Sequence, residues 1–165
     1  MAEFLLRPPF LFGKWRASHG AARSGVNQTD AELAAARDLV DAIGRAIGAG
    51  QRLMDSLRDS VENEPLANAA SICRWELMVL RERIMEINGP SSLRAAQAES
   101  VRSVDGAAAA AHMLGNGYRF HNLDRICQGG EALSTHLDGL ERTRVRLDAR
   151  LTHGGAPVAK PVKAS

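Results

Sequence analysis

The side chains able to do chemistry are few and scattered. The five histidines are His19, His112, His121, His136 and His153. His19 and His153 fall in flanks rich in Gly and Ala. His136 lies beside the apolar seam of a helix, where a hydrogen-bonded structural role is the ordinary outcome for a histidine. His112 and His121 bracket a chain reversal, with Asp59, Glu62, Glu64, Tyr118 and Asp124 within reach, a set that could bind a metal or transfer protons. The Glu-x-x-His spacing by which helical bundles hold paired metals is missing, so the cluster reads as a polar end-cap. Cys73 and Cys127 fall far short of a disulfide framework and point to a reducing compartment. Helix counting sets them at one level on diagonal helices, beyond the roughly 4.4–6.8 Å between Cα atoms that a disulfide needs, so both are expected as buried free thiols. No Gly-rich phosphate loop follows a strand, and no Ser/His/Asp or Cys/His pattern occurs. Arg142, Arg144, Arg146 and Arg150 in GLERTRVRLDAR complement a helix C-terminus and alternate with Glu141 and Asp148, as on a solvated face. No catalytic residue, metal ligand or cofactor site is expected, and the chain does not read as an enzyme.

One stretch carries a resemblance. AAHMLGNG at 110–117, followed by Leu123, Ile126 and Cys127, resembles the histidine-phosphotransfer proteins over about 20 residues. Those are helical bundles with a phosphorylatable histidine in an A-H-x-L-K-G context. Ala111, His112 and Leu114 match it, and Gly115 stands where the family has lysine. The resemblance implies a phosphoacceptor role for His112, which here falls two residues before the expected helix end.

The elements that must carry these residues follow from proline placement and apolar spacing. Prolines occur only at 8, 9, 65, 90, 157 and 161. Thr29 and Glu32 match a capping box that opens a first helix. Its seam runs Leu33, Ala36, Val40, Ile43, Ile47, Gly50, Met54, Leu57 and Val61, with spacings alternating three and four. A second helix starts near Pro65, with the seam Leu66, Ala70, Cys73, Leu77, Leu80, Ile84 and Ile87. Asn88-Gly89-Pro90 should end it through a left-handed glycine. Ser91 or Ser92 caps a third helix running through Leu93, Ala96, Val104, Ala107, Ala111 and Leu114. Asp105-Gly106 is its weak point and Gly115-Asn116-Gly117 its stop. The fourth seam is Leu123, Ile126, Gly130, Leu133, Leu137, Leu140, Arg144, Leu147 and Leu151.

Lengths of about 34, 24, 24 and 34 residues, at 1.5 Å each, and short connections define the expected fold. It is an all-α, antiparallel up-down-up-down four-helix bundle in a long-short-short-long pattern. An extended N-terminal arm (1–28) precedes the bundle (29–153), and a disordered tail (154–165) follows it. Gly50 and Gly130 should then lie at one level and permit a close approach of the first and fourth helices.

Charge and composition narrow the partners. The net charge of +2 conceals +3 over residues 1–29, −3 over 30–152 and +2 over 157–165. Basic ends on an acidic body do not form a nucleic-acid-binding face. No run approaches the roughly 20 apolar residues of a membrane span, and Glu3, Arg7, Pro8 and Pro9 spoil a signal peptide. The Arg-rich, Lys-poor body suits a cytoplasmic bacterial protein.

The aromatic distribution is the most informative signal. Phe4, Phe10, Phe12 and Trp15 are four of the chain's seven aromatic residues. The second helix bears Ile72, Trp75, Met78, Val79 and Met85 off its seam, a second apolar face that needs a cover. Phe4, Phe10, Phe12, Trp15, Ile72, Trp75 and Val79 therefore define one contact, made within the chain, between two copies or with a partner protein. The expected function is that of a non-enzymatic adaptor, chaperone or assembly subunit, engaging a protein partner or a second copy. The alternatives are histidine phosphotransfer through His112 and peripheral membrane association.

Overall fold

A computed structural model describes residues 24–153. Four helices account for almost all of them: α1 (Ser24–Asp59), α2 (Asn63–Glu86), α3 (Arg94–Arg119) and α4 (Leu123–His153). A 3₁₀ turn, Ser91–Leu93, leads into α3, and no strand occurs among the described residues. The helices span 36, 24, 26 and 31 residues and pack as a bundle. Helix α3 meets α2 and α4 most extensively, while α1 lies against α2 and α4 with less contact. Ion pairs tie neighbours together: Arg52 to Glu76 across α1 and α2, Arg81 to Asp105 across α2 and α3, and Arg146 to Glu99 across α3 and α4, each at 2.7 Å.

The core is aliphatic. Leu39, Ile43 and Leu53 of α1 meet Leu77 and Ile84 of α2, Val104 and Leu114 of α3, and Leu133, Leu140 and Leu147 of α4 in one buried cluster. The α2 seam is buried as its spacing predicts, at Leu66, Ala70, Cys73, Leu77 and Ile84. On α1 the expected seam is only one flank of the buried face. A parallel stripe, Ala35, Leu39, Ala42, Ala46, Ala49 and Leu53, is also buried, and much of it more deeply. A helix wedged between neighbours needs a wide apolar arc, and alanines let the backbones close in. Two seam ends leave the core: Val61 stands in a connection at 96% exposure and Leu123 opens α4 at 74%.

Several boundaries differ from expectation for identifiable reasons. Helix α1 starts at Ser24, so Thr29 is an internal helical position rather than a cap. Pro65 falls in the first turn of α2, where its missing N–H costs nothing. Among the described residues no glycine has positive φ, so Gly89 makes no left-handed cap. The chain leaves α2 through Ile87 in an extended conformation. The free carbonyls of that helix end are instead taken by Gln97 of α3, whose Nε2 donates to Ile84 O at 2.6 Å and Ile87 O at 3.0 Å. Ser91 and Ser92 make no side-chain cap, and the 3₁₀ turn does the work of starting α3.

Helix α3 does not stop at Gly115-Asn116-Gly117 but continues to Arg119. Both glycines are buried packing sites. A Cβ on Gly115 would lie 3.4 Å from Ala70 Cβ, and one on Gly117 would lie 2.8 Å from Ile126 Cγ1. The true stop is a Schellman turn: His121 takes φ +53°, Asn122 N donates to Gly117 O at 2.8 Å, and His121 N donates to Tyr118 O at 3.4 Å. Asn122 then starts α4 by accepting from Arg125 N at 3.0 Å. Gly106 is no weak point either. It is where the His136 imidazole lies directly on the α3 backbone, in space that any Cβ would occupy. The level pairing of Gly50 with Gly130 does not occur. Gly50 makes room for Leu137, whose Cδ2 would sit 2.5 Å from a Cβ, while a Cβ on Gly130 would meet nothing within 4 Å.

Candidate functional site

Burying one seam of α2 leaves its opposite face outward. Ile72, Trp75, Met78, Val79 and Met85 are all exposed, Ile72 at 60% and Trp75 at 67%. Spacings of three, four and seven put Ile72, Trp75 and Val79 on one stripe. Each lines one of three depressions along the border of α2 with α1. Ile72 and buried Cys73 line the smallest, about 190 Å³. Trp75 and Val79 line one of about 640 Å³, which reaches Gly44 and Gly48 of α1 and Arg144 and Asp148 of α4. Val79 also borders the third, about 810 Å³, which extends toward the start of α1 past Ala31, Ala34, Glu82 and Glu86.

The depressions exist because α1 presents small residues there. Gly44 and Gly48 are four apart, so they share one helix face, and Ala31 and Ala34 continue the low relief. A bridge from Arg52 Nη2 to Glu76 Oε2 at 2.7 Å separates the Ile72 depression from that of Trp75. Charge is uneven along this border. Asp38, Glu82, Glu86 and Arg83 line the largest of the three depressions, and Glu82 is paired with Arg81 beside it. Around Trp75, Asp41, Glu76 and Asp148 balance Arg45, Arg52 and Arg144. Arg144 Nη2 donates to Glu141 at 2.8 Å, while its buried Nε has no partner. An apolar stripe in a groove with a partly acidic rim suits an extended apolar and basic segment.

Beneath the stripe, burial pushes the Cys73 thiol up to about 11, reinforced by Glu76 and opposed by Arg52. That keeps it protonated and unreactive at neutral pH. Cys127, expected to be buried, is exposed, and both cysteines are free.

The histidines do not converge. His121 Nδ1 pairs with Asn63 Nδ2 at 2.7 Å. His112 is exposed on α3, with Nδ1 3.2 Å from Arg74 Nη1 and Nε2 3.1 Å from Asn116 Nδ2. Because α3 runs on to Arg119, His112 lies seven residues before the helix end rather than two. Among the described residues no group of three or more His, Cys, Asp or Glu side chains is arranged to hold a metal ion. At the Arg-rich end of α4, Arg144 pairs with Glu141 of the same helix and Arg146 with Glu99 of α3.

Three of the sequence-predicted contact residues, Ile72, Trp75 and Val79, are thus brought together on one exposed stripe. Phe4, Phe10, Phe12 and Trp15 lie outside the described residues. Gly44, Gly48 and the Arg52–Glu76 bridge went unanticipated. The glycine pair was detectable as two small residues one helical turn apart. The bridge was not, because nothing local connects positions 24 apart. No described helix is long and apolar enough to cross a membrane. No protein-family model matches the chain, and neither a curated protein nor a solved structure matches it significantly.

Proposed function

We propose that this chain is a non-enzymatic helical interaction protein, an adaptor, chaperone or assembly subunit working in the cytoplasm without a cofactor. It engages a protein partner or a second copy of itself through the outer face of α2, at Ile72, Trp75 and Val79, and through its N-terminal arm, at Phe4, Phe10, Phe12 and Trp15. The observation that carries this reading is the exposure of Trp75 at 67% beside Ile72 at 60% on a helix whose other face already fills the core. A tryptophan left in water is a poor investment for folding and a good anchor for binding.

The bundle is read as antiparallel, up-down-up-down and long-short-short-long. Support comes from pairs whose numbers run in opposite senses: Arg74 with His112 and Arg81 with Asp105 between α2 and α3, and Gly50 with Leu137 and Gly44 with Arg144 between α1 and α4. The arm is taken as residues 1–28 and the tail as 154–165.

Light scattering on the full chain and on a chain lacking residues 1–16 tests the reading. Retained helicity with loss of self-association or partner binding is the expected result. Unchanged association on truncation and on Trp75→Ala would overturn it.

A second reading draws on the placement of His112. Its ring is exposed, lies well inside α3 and has the Arg74 guanidinium at 3.2 Å, which would stabilise a phosphoryl group. Incubation with a small phosphoramidate donor, followed by mass spectrometry, decides it. Label on His112 that vanishes in His112→Gln supports phosphotransfer, and its absence removes that reading. Membrane contact is the remaining alternative, and flotation with liposomes that depends on Trp15 would be its signature.

A further inference from the structure

We infer that the groove bordered by Trp75 and Val79 of α2 and by Gly44 and Gly48 of α1 is the seat of this chain's own N-terminal segment, folded back along α1 in cis. This deepens the interaction reading and rests on it: the arm and the α2 stripe cover each other until a partner displaces the arm.

Length permits the return. Trp15 precedes Ser24 by nine residues, which span about 30 Å when extended. From Ser24 to Gly44 is twenty residues of helix, also about 30 Å. With the reversal made at Ala21–Arg23, Phe12 and Phe10 follow Gly20 by eight and ten residues, about 26 and 33 Å when extended, which brings them level with Gly44 beside Trp75.

The order of residue types matches the order of surfaces. A chain turning back from the start of α1 first passes the depression rimmed by Asp38, Glu82 and Glu86, where Arg81 pairs with Glu82 and Arg83 alone remains for Asp38 and Glu86. Arg23, Arg16 and Lys14 are the charges such a segment presents in turn, and residues 1–23 carry four cations against Glu3 alone. Beyond Val79, which borders both depressions, the groove turns apolar and charge-balanced, where Phe12 and Phe10 follow. The missing side chains of Gly44 and Gly48 leave the floor open, and a Cβ at either would have no protein atom nearer than 3.5 Å. Opposite charge at the entrance and apolar area beyond it together favour this occupant over an uncharged apolar peptide.

The test uses the full chain with Trp15→Phe, so that Trp75 is the sole tryptophan. Acrylamide quenching of its fluorescence is compared with two further chains in that background, one carrying Phe10→Ala and Phe12→Ala, the other Gly44→Gln and Gly48→Gln. The second pair fills the groove at helical positions that gain propensity, so folding is not at risk. Docking in cis is expected to lower quenching roughly twofold relative to both variants, because the ring is 67% exposed when nothing covers it. The protection should be independent of protein concentration and weaken as salt screens the acidic rim. Protection that grows with concentration alongside a dimer mass in light scattering overturns the cis seat and leaves the α2 contact reading standing. Equal quenching in all three chains of a monomer overturns the cis seat and leaves the α2 face to a separate protein partner.

Discussion

The two faces of α2 are built from the same kinds of residue and live in opposite surroundings. Leu66, Ala70, Cys73, Leu77 and Ile84 turn inward and are buried, while Ile72, Trp75, Met78, Val79 and Met85 turn outward and are exposed. Hydrophobicity alone does not separate core from contact surface; the rotation of each residue about the helix axis does. The inner stripe packs against α3 and α1. The outer stripe borders α1 only where α1 thins to alanine and glycine, so grooves remain beside it. An apolar face left beside grooves is a place for something else to sit.

The contrast can be broken most forcefully at Leu77, the fully buried centre of the inner stripe. Leu77→Ala should cost about 2–5 kcal/mol of stability in urea unfolding, the usual range for a leucine truncated in a packed core. A loss no larger than that of Trp75→Ala would mean that the two faces are not distinct. Glycines sharpen the same inside–outside contrast. Gly106→Ala drives a methyl into the His136 ring and should cost about 1–3 kcal/mol. Gly130→Ala meets open space and should gain about 1 kcal/mol through helix propensity, seen as a rise in Tm. Equal shifts for the two would place His136 elsewhere.

On the outer stripe, Trp75→Ala should change stability of the chain lacking residues 1–16 by no more than about 0.5 kcal/mol, while weakening association of the full chain. The smallest effect is a pH slope. Cys73 ionises at about 11 in the folded chain against an ordinary 9.0, so the folded state holds its proton longer. Its contribution is constant below pH 9.0, and stability falls as pH rises from there toward 11. Cys73→Ala should flatten that decline. A thiol reagent at pH 8 should modify Cys127 at once and Cys73 only on unfolding.

The α2 stripes were legible because bulky residues at three-and-four spacing mark both faces without ambiguity. Helix α1 was less so. Its deepest positions include Ala42, Ala46 and Ala49, and alanine reads the same on either side of a helix. Gly115 and Gly117 read as a stop because glycine weakens a solvated helix. Their actual partners, Ala70 and Ile126, belong to α2 and α4 and carry no local signal at the glycines. Likewise, Gln97 capping the end of α2 cannot be read from the residues around Gly89. Of the candidate site, the anchors Ile72, Trp75 and Val79 were visible as surplus apolar residues, whereas the groove beside them depends on what α1 lacks.

Oxidative footprinting of the full chain reads the central claim most directly, by following Trp75, with Met85 on the α3 side of α2 as the reference, against the same chain with Phe4, Phe10, Phe12 and Trp15 replaced by serine. Slower oxidation of Trp75 in the unaltered chain, with Met85 unchanged, is the expected result. Identical oxidation rates in the two chains would contradict it, leaving the outer face of α2 bare in water with no role for the arm.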